Sequence, residues 1–165
     1  MSFPSIAPRH HAVSAPRLPL WFWGGLLAAI ADLSLAAGYW FVYDDVAPIR
    51  IPQSIASWLL GPAARAEGMA SAVLGFVLYV GVLCALMAAY QALARRLPAL
   101  HRHPLACGAT YGVAAYLLIF HLFVPYFSAA VTTGPSPWHW TLTCMLAYVG
   151  LVGIPAALLA RAARR

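Results

Sequence analysis

The chain has 165 residues, 63% hydrophobic and 8% charged, with a formal net charge of +6 and a mean hydropathy of +0.79. These values lie outside the range of soluble globular domains and point to a membrane protein with no room for a separate catalytic domain. The arginines fall at the ends of apolar runs, where attraction to anionic lipid headgroups explains the charge and nucleic acid is not needed.

Residues 1–17 read as a cytoplasmic N-terminal tail carrying Arg9 and Arg17. The first apolar run, about 18–43, exceeds the roughly 20 helical residues that cross a bilayer. Two arginines before it and the small residues of "LAAG" resemble a secretory leader. The run continues, however, through Tyr39, Trp40, Phe41, Val42 and Tyr43, too long for a leader and ending in an aromatic belt suited to a headgroup interface.

The next stretch, "DDVAPIRIPQSIASWLLGPAARAEG", has its own periodicity. Ile51, Ile55, Trp58 and Leu59 recur at helical spacing, opposed by Gln53, Ser54 and Ser57. Pro52 can open a short helix, and Gly61 with Pro62 can close it. The pattern predicts an interfacial helix on the non-cytoplasmic face, with a re-entrant half-helix over 52–64 as the alternative.

Three further spans follow at about 68–93, 105–131 and 138–160, and a basic tail occupies 161–165. The expected fold is therefore all-α: a single four-helix transmembrane bundle with one short extra helix between the first and second spans. Ser71 with Gly75, and Gly108 with Gly112 in "GATYG", supply the small-xxx-small spacing through which helices in lipid approach closely. The spacing leaves open whether those contacts form inside one chain or between copies. Pro125 and Pro155 lie inside spans and predict kinks, because each frees the carbonyl four residues earlier, at His121 and Leu151.

Orientation follows from charge. Arg9 and Arg17, then Arg95, Arg96 and Arg102, then Arg161, Arg164 and Arg165 all fall on one side, which makes both termini cytoplasmic. The opposite loops carry only Arg50 and Arg65, offset by Asp44, Asp45 and Glu67, while "TTGPSPWH" has no full charge. The absence of Lys beside abundant Arg and Ala points to a GC-rich bacterial genome and hence to a bacterial inner membrane.

One acid, Asp32, stands in the middle of the first span. Counting inward from the non-cytoplasmic ends, Asp32 is eleven residues from Tyr43, Tyr79 eleven from Gly68, His121 ten from Val131 and Tyr148 ten from Trp138. At about 1.5 Å per residue all four reach roughly 15–16 Å depth, one polar group from each helix. A charged Asp at the bilayer centre costs roughly 2.5–3.5 kcal/mol, so it needs protonation or hydrogen-bond donors, which the two phenols and the imidazole can supply. The layer reads either as structural glue between helices or as a ligand or proton site.

Other constellations are weak. His10 with His11 and His101 with His103 lie in basic loops, and Cys84, Cys107 and Cys144 show no paired spacing, so no metal or disulfide framework is expected. Neither a phosphate-binding loop nor a nucleophile elbow is present, and no cofactor is expected.

The segments "AAIADLSLAAG", "IPQSIASWLLGPAA", "AVLGFVLYVGV", "ARRLPAL", "ATYGVAAYL" and "FVPYFSA", spanning residues 24–130, resemble a family of small, functionally unassigned proteobacterial inner-membrane proteins, distantly of the YagU type. The resemblance implies the four-helix form and membrane location, and no activity. In that family a His often stands at the place of Tyr79, with "VPLSA" for "VPYFSA"; here the imidazole is at His121 instead. The expected role is a non-enzymatic accessory or structural membrane component, associating with a membrane-protein partner or a second copy. The alternative is a small proton-linked carrier or ligand-binding protein using the Asp-His-Tyr layer.

Overall fold

A computed structural model describes residues 19–130 and 137–163. Arg9, His10, His11, Arg17, Val131, Arg164 and Arg165, and the loop residues 132–136, lie outside the described residues. Within them the chain is all-helical: α1 (Leu20–Asp44), α2 (Arg50–Leu60), α3 (Gly68–Arg96), α4 (Pro104–Phe127) and α5 (Trp138–Ala162). All but α2 are long and apolar enough to cross a membrane. Short 3-10 turns, Gly61–Arg65 and Pro98–His101, lead into α3 and α4.

The helices associate as two packed pairs, α1 on α3 and α4 on α5, joined through contacts of α5 with α1 and α3. In lipid, burying one apolar face against another gains little over contact with acyl chains, so close backbone approach must carry much of the association. The glycines show where that happens. A Cβ added at Gly25 would lie 2.6 Å from the Cα of Cys84, which fixes the α1–α3 crossing. At Gly112 it would lie 2.7 Å from the Tyr148 carbonyl oxygen, and at Gly108 2.7 Å from that of Gly153. The "GATYG" motif is thus consumed inside one chain, against α5. Gly81, by contrast, meets nothing within 4 Å.

Both span prolines sit beside a change of helical winding. Each follows a six-residue π-helical turn, Leu118–Phe123 in α4 and Tyr148–Gly153 in α5. The N–H of Val124 reaches the Ile119 carbonyl, and that of Ile154 the Val149 carbonyl, each one residue further back than in an α-helix. A proline ring clashes with the carbonyl four residues earlier, and widening the preceding turn relieves that clash while keeping the neighbouring N–H groups bonded.

The other span boundaries fall within a few residues of expectation, but α4 stops at Phe127, where Ser128 turns extended (φ −106°, ψ 156°), rather than continuing to 131.

The helix between the first two spans forms, but its inward face differs from the apolar stripe. Leu59 is 61% exposed, whereas Gln53 is buried at 2%. The Gln53 amide donates to the Gly68 carbonyl at 2.8 Å, tying α2 to the first residue of α3, and its oxygen accepts from Arg50 at 3.3 Å. On the same face Pro52 and Ala56 press against Gly75, where an added Cβ would sit 1.8 Å from the Pro52 carbonyl oxygen. A small-residue contact and a buried amide outweigh hydrophobicity in setting the rotation of α2. The Trp58 carbonyl also accepts from the Ala129 N–H at 2.8 Å, stitching α2 to the end of α4.

Gly112→Leu and Gly153→Leu are each expected to destabilise the purified protein by about 1–3 kcal/mol through overpacking, seen as a lowered unfolding midpoint in detergent. Gly81→Leu, facing open space, is expected to leave the midpoint unchanged.

Candidate functional site

The α1–α3 crossing at Gly25 and Cys84 sets the register along the rest of that antiparallel pair. Two turns further along, Asp32 of α1 meets Tyr79 of α3, whose hydroxyl donates to Oδ2 at 2.5 Å. The Tyr79 and Tyr148 hydroxyl oxygens are 3.3 Å apart. A phenol carries one proton, so with Tyr79 donating to the carboxylate, Tyr148 is the donor in the second bond. The result is a directed chain, Tyr148 to Tyr79 to Asp32, linking α5, α3 and α1.

Both phenols are deeply buried, 2% and 1% exposed, while Asp32 is half-buried. Tyr148 opens the π-helical turn of α5, and its own carbonyl lies against Gly112, so the glycine crossing and the altered winding together aim its side chain into the bundle. Its ring is held edge-on by Tyr116 and Phe120 of α4, at centroid distances of 6.0 and 5.7 Å.

His121 does not join them. It lies on the exposed face of α4, touching the outer side of Tyr116 edge-on at 5.4 Å. The reason is rotation rather than depth, because its neighbour Phe120 packs on Tyr148. The rotation of α4 is set by Gly108, Gly112, Ala115 and Tyr116 turning to α5 and the core, which sends position 121 outward.

A second tie between α1 and α5 is not evident from the spans taken one by one. The Tyr39 hydroxyl hydrogen-bonds His139 Nδ1. Tyr43 stacks on the same imidazole at 5.3 Å, and Trp140 packs on Tyr39 and Trp40 at 4.6 and 5.2 Å. The aromatic run at the end of α1 is visible in the sequence as an interface belt; the aromatic start of α5, at the same end of the bundle, is the signal that the two belong together.

Among the described residues no group of three or more His, Cys, Asp or Glu is placed to hold a metal ion. His101 instead bonds the Ala94 carbonyl at 3.0 Å, near the end of α3. Chemically, the Asp32 chain can fix three helices relative to one another and can hold or pass a proton along hydroxyls. Compared with protein-family models, with curated proteins and with solved structures, the chain finds no match in any of the three.

Tyr79→Phe removes the one hydroxyl bonded to both neighbours and is expected to cost about 1–2 kcal/mol of bundle stability, against about 0.6 kcal/mol for Tyr148→Phe. His121→Ala is expected to stay within about 0.5 kcal/mol of wild type. Equilibrium unfolding in mixed micelles checks the order of the three.

Proposed function

We propose that this chain is a multi-pass protein of a bacterial inner membrane with a non-enzymatic role, an accessory or structural component that presents a rigid helical scaffold to a membrane-protein partner or a second copy. The observation that carries this reading is the closed hydrogen-bond chain from Tyr148 through Tyr79 to Asp32. It spends the interior acid on joining three spans, with both phenols sealed from the surface. The resemblance to small proteobacterial inner-membrane proteins belongs to the same proposal.

The topology proposed places both termini in the cytoplasm, supported by Arg95, Arg96 and Arg102 near one end of the bundle together with Arg161 of α5. We place α2 partly within the outer leaflet rather than flat upon it. Its contact with Gly75 is seven residues into α3, about 10 Å along that helix, and Ile55 joins the same core as Tyr79.

A second reading, a proton-linked carrier or ligand-binding protein, is favoured by one specific observation: the Tyr148–Tyr79 hydroxyl chain ends on a carboxyl group, which can take up or release a proton. Two experiments separate the readings. Purification from native membranes in mild detergent is expected to recover a stoichiometric protein partner or a defined homo-oligomer, and recovery of a bare monomer would contradict the scaffold role. Proton flux into liposomes is expected to be absent in wild type and in Asp32→Asn, which should change only the unfolding midpoint; flux abolished by the substitution would establish the second reading instead.

For the topology, Ala63→Cys is expected to react with a membrane-impermeant maleimide from outside intact spheroplasts. Ala99→Cys, at the other end of the bundle, should react only after permeabilisation. The reverse pattern would invert the proposed orientation.

A further inference from the structure

The end of the bundle that carries α2 holds a cavity of about 850 Å³ between the C-terminal part of α1, α2 and the Gly61–Arg65 turn. Two arginines, Arg50 and Arg65, are among the residues that line it, together with Ser54, Trp40, Val46 and Ile51. The loop acids Asp44, Asp45 and Glu67 balance these arginines in the count of loop charge, and none of them lines the cavity. The Arg50 side chain bonds neutral acceptors instead: the Gln53 Oε1 and the Arg65 carbonyl, each at 3.3 Å.

Bringing two permanent cations to one concave surface is unfavourable unless something negative or strongly hydrated lies between them. The arrangement is also fixed from below. Gln53 is buried and bonded to both Arg50 and the Gly68 carbonyl, and the Pro52–Gly75 contact seats α2, so Arg50 is held on a rigid base. Guanidinium forks match phosphate oxygens in bidentate fashion, and a hydroxyl beside them adds a further donor. The remaining wall is apolar and aromatic, as at the level where a bilayer changes from headgroup to acyl chain.

We infer that this cavity is a binding site for a phosphate-type anion, held between Arg50 and Arg65 with Ser54 beside them, whose source is either an anionic lipid headgroup or a soluble phosphate. The wall formed by Trp40, Val46 and Ile51 gives a glycerol or acyl stem somewhere to lie, whereas a free ion uses the guanidinium groups alone.

The test uses the full chain reconstituted in phosphatidylcholine vesicles, alone, with phosphatidylglycerol added, or with inorganic phosphate added. Binding to the folded state is expected to raise the unfolding midpoint of wild type by about 2–4 °C in at least one of the two supplemented arms. The arm that responds identifies the source. Arg65 meets Arg50 through its backbone carbonyl, which Arg65→Gln keeps, so this variant is expected to lose most of the increment while holding the midpoint seen in phosphatidylcholine alone. Arg65→Lys should retain part of it, and Arg95→Gln, at the opposite end of the chain's second span, all of it. Equal increments in wild type and Arg65→Gln, or no increment in either arm, would overturn the assignment. Arg50→Gln serves as the second variant, read only by the difference between arms because it also frees Gln53.

Discussion

Backbone-to-backbone contact at a few glycines is the constraint on which this bundle rests. Apolar side chains are as comfortable against lipid as against each other, so the positions without side chains decide where helices cross. Gly25 on Cys84 sets α1 against α3, Gly108 and Gly112 interleave with Gly153 to set α4 against α5, and Gly75 receives α2. The polar features depend on these crossings. Asp32 reaches Tyr79 because Gly25 has already fixed the register of their helices, and Tyr148 turns inward because its carbonyl lies in the notch of Gly112.

The two π-helical turns fit the same logic. A proline inside a span would leave carbonyls short of partners, which lipid cannot supply. Widening the helix just before Pro125 and Pro155 lets Val124 and Ile154 bond one residue further back, so the disturbance stays within each helix. In α5 the wide turn also changes the rotation of the residues beyond it. Tyr148, at the start of the turn, faces the Asp32 chain, while Gly153, at its end, faces Gly108. One local adjustment thus serves a hydrogen bond and a packing contact that strict α-helical winding would set at slightly different angles.

How much of this could be read from residues alone depends on whether depth or rotation was in question. Depth was readable: the ends of α1, α3 and α5 nearest α2 lie within a few residues of where hydropathy and aromatic residues put them, and counting inward brought Asp32, Tyr79 and Tyr148 to one level. His121 was misplaced by rotation rather than depth, since its neighbour Phe120 packs on Tyr148 while position 121 turns outward. Rotation was not readable, since a span apolar on every side gives no stripe to orient it. The same blindness hid Gln53, whose polarity argued for a solvent face although it faces the start of α3. Arg50 and Arg65 are fifteen residues apart in sequence, and a count of loop charges does not show that the fold brings the Arg50 side chain to the Arg65 carbonyl and both residues to one cavity.

The buried acid is better understood together with the aromatic cluster than alone. Helices α1 and α5 touch at two levels, through Tyr39 and His139 near the end of the bundle that carries α2 and through the Asp32 chain about midway along the helices. Two ties along one pair resist sliding and rolling in a way that a single tie does not, and the second tie runs through α3, so three helices share it. Interhelical hydrogen bonds in membranes contribute only about 0.6 kcal/mol each on average, too little to hold a bundle that glycine contacts had not already assembled. Their value lies in choosing among arrangements that apolar contact leaves nearly equal in energy. A carboxylate at mid-membrane imposes that choice strongly, because any alternative rotation of α1 would strip it of its donor and leave a costly charge facing lipid.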